Sequence, residues 1–233
     1  VNLTGNELAL FAGVEGDLKK TTFRTLTDYN PYLHTRSPAL TIMNTKYFHG
    51  YAGIRGNLKF FEYTVQAGFK PTNDLPLYKF RFTGDLKYDF EVIYDDVDII
   101  NVGGSIKATP LKGLDITGTM NVNIYDTKTE FWAWHLPVLE SNFQLLYTTK
   151  DGKLRTKANF YLSDGVASNS GFGGARKDEL KGLYDLSLGA EYWFAKHFGA
   201  FLDVNNLLDN RSERWRFYPT YGINVLGGIS ARF

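Results

Sequence analysis

The sequence predicts an all-β protein, an antiparallel transmembrane up-and-down β-barrel of about ten strands, and three observations carry that expectation. Polarity alternates with a period of two through ten separate stretches. The connections between them alternate between tight turns and long polar loops, as the periplasmic turns and outer loops of membrane barrels do. The composition, with 15 Tyr, 18 Phe and 23 Gly against 2 Met, suits pleated surfaces and tight curvature.

Each stretch places apolar side chains on one face and polar ones on the other. Residues 7–18 set Leu8, Leu10, Ala12, Val14 and Leu18 against Glu7, Glu15 and Asp17. Residues 47–58 set Phe48, Ala52, Ile54 and Leu58 against Tyr51, Arg55 and Asn57, and residues 61–69 set Phe61, Tyr63, Val65 and Phe69 against Glu62, Thr64 and Gln66. Residues 98–108 oppose Ile100, Val102 and Ile106 to Asn101, Ser105 and Lys107. Residues 114–125 oppose Ile116, Met120, Val122 and Ile124 to Asp115, Thr117, Thr119, Asn121 and Asn123. The same division recurs in 139–149 (Phe143, Leu145 and Tyr147 against Glu140, Asn142 and Gln144) and in 154–164 (Ala158, Phe160 and Leu162 against Arg155, Lys157 and Asn159). In 183–195, Tyr184, Leu186, Leu188, Ala190 and Tyr192 oppose Asp185, Ser187 and Glu191. In 198–209, Phe198, Ala200, Leu202 and Val204 oppose Asp203 and Asn205. The last stretch, 223–233, sets Ile223, Val225, Ile229, Ala231 and Phe233 against Asn224, Ser230 and Arg232.

Short turns are expected at 59–60, 110–113, 150–153 and 196–197, and long loops at 19–46, 70–97, 126–135, 164–182 and 210–222. The second loop contains another alternating run, 86–94, which reads as a strand continued beyond the membrane or as a hairpin within the loop. Aromatic residues gather near both ends of the strands, as lipid–water boundaries favour. Phe60, Phe61, Tyr147, Trp193, Phe194, Phe198 and Phe233 are expected at the short-turn end, and Tyr47, Tyr125, Trp132, Trp134, Trp215 and Tyr218 at the other.

No stretch has the roughly 18 apolar residues of a membrane-spanning helix, and the mean hydropathy is −0.27. A barrel strand needs only about 10 residues, half of them facing lipid, so this value is compatible with a membrane wall. The chain starts at Val1 with no signal peptide, as expected of a processed or truncated chain. A net charge of +1 with interspersed signs offers no basic stripe for phosphates, which argues against nucleic acid as a partner. The absence of cysteine removes disulfides and thiolate metal sites.

The residues that could carry chemistry are few. His34, His49, His135 and His197 have no metal-site spacing, so neither metal nor cofactor is expected. Asp95, Asp96 and Asp98 could bind Ca²⁺ or activate water at the outer rim, with His49 or His135 as partner, which would make the protein a rim-active hydrolase. The Gly- and Ser-rich residues 166–176 follow no strand-to-helix pattern and read as a loop, not a phosphate cradle. Trp132, Trp134, Trp215, Tyr218 and Tyr221 could form a stacking surface for a sugar or peptide, or anchor the barrel at the boundary. A soluble β-barrel holding an apolar ligand is the third alternative.

Residues 201–233 carry a more specific signal. An N-L-x-D/N-like element at Asn206, Leu207, Leu208, Asp209 and Asn210 precedes a loop with Trp215, Phe217, Tyr218, Pro219 and Tyr221, then a Gly-rich strand ending in Phe233. This resembles the final hairpin of TonB-dependent outer-membrane receptors. The resemblance implies a Gram-negative outer-membrane location, the lipid bilayer and other outer-membrane or periplasmic proteins as partners, and a part in transport without enzymatic activity. That family has 22 strands and a plug, and at about 10 residues each such strands alone would use nearly the whole chain. The 1–233 domain is therefore expected either to close as a small barrel or to be the C-terminal part of a larger one.

Overall fold

The computed structural model describes residues 8–34, 41–82, 88–169 and 177–232. In chain order the elements are β1 (Ala9–Lys19), α1 (Phe23–Tyr29), β2 (Thr45–Leu58), β3 (Phe61–Phe82), β4 (Tyr88–Leu111), β5 (Leu114–Thr127), β6 (Leu139–Thr148) and β7 (Leu154–Asp164). They continue with β8 (Ala167–Asn169), β9 (Lys177–Glu179), β10 (Leu183–Tyr192), β11 (Phe198–Asn205), β12 (Glu213–Trp215), β13 (Tyr218–Pro219) and β14 (Asn224–Ala231). Ten of them form one antiparallel sheet in the order β1-β2-β3-β4-β5-β6-β7-β10-β11-β14, so every strand pairs with its neighbour in the chain once the small loop hairpins β8–β9 and β12–β13 are set aside. All ten expected strands are present. Glu7 and Phe233 lie outside the described residues, as do 35–40, 83–87 and 170–176 of the expected loops.

The register explains the alternation. Pairs such as Val65↔Gly104, Val102↔Val122 and Leu188↔Val204 hold one face, and Asn101↔Asn123, Gln144↔Asn159 and Asn205↔Asn224 the other. Apolar side chains of the first face are open: Val14 is 72% exposed, Ile124 58% and Ile229 77%. Water would not tolerate a surface of this extent, whereas acyl chains would cover it. On the opposite face amides bridge neighbouring strands, Asn101 Nδ2 to Asn123 Oδ1 at 2.7 Å and Asn205 Nδ2 to Asn224 Oδ1 at 2.9 Å, and Lys157 meets Asp203 at 2.9 Å. A few rings also point to this side, where they lie over glycines. A Cβ on Gly13 would fall 2.6 Å from the Tyr51 ring and one on Gly228 2.7 Å from Phe201, so a larger residue at either place would displace the ring.

The turns divide the two ends. β2–β3, β4–β5, β6–β7 and β10–β11 are joined at one end by short turns. The β4–β5 turn needs Gly113 at φ +90°, where a side chain would strike the Thr148 carbonyl. At the other end the expected loop 70–97 is mostly strand. β3 and β4 continue to pair well past their neighbours, with a register shift between Thr72 and Leu75, so residues 88–94 of the alternating run are a strand extension paired with β3, while 86–87 lie outside the described residues. The extension is buried on both faces, Leu77 on one and Tyr78, Phe80 and Phe90 on the other, because it passes through the other loops.

The hydrophobic core lies where the loops pack on the extended ends of β3 and β4. Leu26, Leu33, Tyr78, Phe80, Phe90 and Trp215 form one cluster; Leu77, Ala133, Trp134 and Ala167 form another. Among the described residues β1 and β14 pair with each other nowhere, so they are the two edges of the sheet. The cap spans both edges: α1, from the β1–β2 connection, and Trp215, from the β11–β14 connection, meet in one cluster.

Candidate functional site in the loop cap

The cap is assembled from short devices that satisfy backbone groups. α1 begins at Thr22, whose Oγ1 accepts from Thr25 N at 3.1 Å while Thr25 Oγ1 accepts from Thr22 N at 2.9 Å, and it ends as Asn30 N donates to Leu26 O at 2.9 Å. The helix delivers Leu26 into the first cluster. The chain then runs beside β4: Phe90 N donates to Tyr32 O at 3.1 Å and His34 N to Phe90 O at 2.8 Å.

Asparagines tie loops that are distant in sequence. Asn169 Oδ1 accepts from Phe80 N at 2.8 Å and its Nδ2 donates to Phe80 O at 2.7 Å, so one amide replaces a strand partner for the β3 extension. Asn206 does the same for the last loop: Oδ1 accepts from Asn210 N at 3.1 Å, and Nδ2 donates to the carbonyls of Asn210 and Tyr221 at 2.9 and 2.8 Å. Asp209 Oδ1 accepts from Ile223 N at 3.2 Å, and Asn210 Nδ2 donates to Gly182 O at 3.2 Å. The N-L-x-D/N-like element is thus a clamp that sets the entry to β14.

The carboxylates singled out for chemistry hold structure. Asp95 is buried and accepts from Thr129 N at 3.0 Å and Glu130 N at 2.8 Å. Asp96 accepts from Asp74 N at 3.0 Å, and Asp98 meets Lys128 at 2.7 Å. Neither suggested histidine joins them. His49 faces Glu15 at 3.1 Å on the inner side of the sheet, and His135 is buried in the cap. No group of three or more potential metal ligands occurs among the described residues.

His135 is packed between Trp215, stacked at 5.2 Å, and Phe90, edge-on at 4.9 Å. Its Nδ1 donates to Tyr78 O at 2.6 Å. Burial lowers its pKa from 6.5 to about 4, against the pull of the Tyr78 carbonyl and with help from Arg216. Between those values the unfolded cap takes up a proton that the folded cap refuses, so stability is complete above pH 6.5 and falls toward pH 4, by about 3 kcal/mol in all. Protease resistance of residues 128–138 should therefore drop over this range. In His135→Asn, which keeps a residue able to adopt the φ of +57° found there, that part of the pH dependence should vanish.

The five rim residues do not form one surface. Trp134 and Trp215 are core, at 0% and 4% exposure, in different clusters. Tyr218 stacks on Tyr32 with centroids 3.4 Å apart. Trp132 and Tyr221 are open to solvent, at 40% and 92%, with Lys177 Nζ 4.7 Å from the Trp132 ring. The expected outer boundary ring also divides, since register turns Tyr47 and Tyr125 inward, the latter donating to Pro137 O at 3.0 Å. Of the residues that build the cap and were not singled out by sequence, Leu77 and Tyr78 had one signal, apolar residues at the consecutive positions 75–78, which mark a strand covered on both faces, whereas Phe80 and Phe90 alternate with charged neighbours and had none.

An up-and-down sheet with exposed apolar side chains on one face and polar ones on the other, short turns at one end and a packed cap at the other, has the architecture of outer-membrane-type β-barrels. Solved structures of this class share the fold. The pyoverdine outer membrane receptor FpvA from Pseudomonas aeruginosa matches over 99% of this chain with a TM-score of 0.67 and 11% identity. The ferric yersiniabactin uptake receptor FyuA from Yersinia pestis matches over 98% at 0.62 and 13%, and the siderophore receptor PirA from Acinetobacter baumannii over 98% at 0.65 and 13%. The chain spans 34%, 35% and 39% of those three proteins, corresponding to barrel and not plug. No protein-family model and no curated sequence matches it.

Proposed function

We propose that this chain is a section of the wall of a TonB-dependent-receptor-like barrel in the outer membrane of a Gram-negative cell, serving transport and carrying out no catalysis. The observation behind this reading is the pairing of a continuous exposed apolar face with an amide-rich opposite face. Unpaired N–H and C=O groups on β1 and β14 would be costly in hydrocarbon, so these edges pair with further strands of a larger barrel. The polar face then lines the lumen, including an open cleft of about 500 Å³ bordered by Asn142, Gln144, Asn159 and Tyr161. The cap roofs the outer mouth, and Trp132 and Tyr221 are the aromatic residues of the expected rim that an incoming ligand would touch. The receptors compared above are named for pyoverdine, for ferric yersiniabactin and for a siderophore; for this chain the transported molecule is a separate question.

Spin labels decide the orientation. In the assembled barrel in liposomes, labels at Val122 and Leu188 should be relaxed by a lipid-dissolved agent, and labels at Asn121 and Ser187 by a water-soluble one. The reverse pattern, or water accessibility at all four, would overturn the membrane reading.

A further inference from the structure

A second cavity, of about 270 Å³, lies beneath the cap between α1 and the outer ends of β1 to β4. We propose that it binds a small aromatic anion, the rings held among tyrosines and the charge held by Lys19 and Lys70. This proposal stands on the cavity alone and is independent of the transport reading.

Three features of the cavity specify its occupant. Its walls include Leu26 and the rings of Tyr29, Tyr47 and Tyr78, with Tyr29 and Tyr78 stacked at 5.0 Å. Such surfaces favour a flat ring, which gains offset or edge contacts beyond simple burial. At packing density of about 0.74 the space takes about 200 Å³ of ligand, the size of a two-ring compound.

The third feature is charge. Lys19 and Lys70 both line the cavity, and Lys70 Nζ sits 3.9 Å over the Tyr47 ring. Neither ammonium has a carboxylate within 4.0 Å among the described residues. The nearby acids are otherwise engaged: Glu15 with His49 at 3.1 Å, and Asp17 with Leu18 N at 2.8 Å. The neighbouring hydroxyls of Thr45 and Thr72 donate to the carbonyls of Asp74 and Lys70. Two like charges with no carboxylate in direct contact, at the border of an aromatic chamber, are satisfied by an anion that carries its own apolar body.

The probe is 2-naphthoate, with the uncharged 2-naphthylmethanol as its comparison, titrated by calorimetry into the assembled barrel that contains this chain, solubilised in detergent. Saturable one-to-one binding of the naphthoate, about tenfold tighter than the alcohol, is expected from a charge-assisted contact. Lys70→Gln should erase the preference for the anion, and Leu26→Trp should fill the space and block both compounds. Equal affinity for acid and alcohol, absence of saturation at millimolar naphthoate, or undiminished binding in Leu26→Trp would overturn the proposal. If either variant fails to fold, the comparison of the two probes on the unmodified chain remains decisive, and none of these outcomes bears on the spin-label test of membrane orientation.

Discussion

Replacing Asn206 with Ala is expected to cost about 3 kcal/mol and to release β14 before any other strand. Three hydrogen bonds disappear at once, to Asn210 N, Asn210 O and Tyr221 O, and the site is 5% exposed, so water does not simply replace them. Each buried polar group left unpaired costs about 1–3 kcal/mol, moderated here because Asn210 O also accepts from Thr220 Oγ1 at 3.1 Å. Asn206 also sits at φ +51°, where Ala is strained by about 1 kcal/mol and Asn is tolerated. Asn206→Gly separates the two causes, since it removes the bonds without the strain. Among the described residues β14 pairs only with β11, through the register Phe198↔Ala231 to Asn205↔Asn224. Amide exchange of residues 225–229 should accelerate in Asn206→Ala, and by a smaller amount in Asn206→Gly, while exchange in β4 and β5 stays as it was. Unchanged exchange in β14 would mean that strand pairing alone, without the clamp, fixes the last hairpin.

The contrast between wall and cap explains what the sequence reveals. A strand crossing a bilayer sees lipid on one side and polar surroundings on the other at every second residue, so the pattern in residues 98–108 or 114–125 is written locally, and all ten strands and both faces follow from it. The turn at Gly113 is equally local. The cap obeys no such rule. Asn169 binds Phe80, 89 residues away, and Asp95 binds Glu130, 35 residues away, so neither side chain announces its role within its own segment. α1 is a seven-residue helix rich in aromatic and β-branched residues, started by a Thr–Thr box in place of the usual Glu or Gln at its third position. Trp134 and Trp215 read as surface because aromatic residues in a loop do not reveal what folds over them. The transferable point concerns Asp95: an acidic residue among others on a loop suggests chemistry until its main-chain partners are known.

Trp134→Ala tests whether cap and wall are separable. The ring is fully buried against Leu77, Ala133 and Ala167, and its Nε1 donates to Glu130 Oε2 at 2.8 Å. Truncation should cost about 3–5 kcal/mol through the cavity it leaves. Glu130 keeps Lys79 at 3.3 Å, so its charge is not abandoned. Trp134→Phe retains most of the volume and loses only the hydrogen bond to a charged acceptor, so about 1.5–3 kcal/mol is expected. The damage should remain in the cap, because the wall is held by strand pairing and, on the proposed membrane reading, by lipid on its apolar face, neither of which involves the Trp134 side chain. Limited proteolysis in detergent should cut residues 128–138 and 165–169 in Trp134→Ala, where the unmodified chain resists, while the strand signal in circular dichroism persists. Simultaneous loss of both would show that loops and sheet fold as one cooperative unit, and that the contacts from β3 and β4 into the cap are needed to hold the wall together.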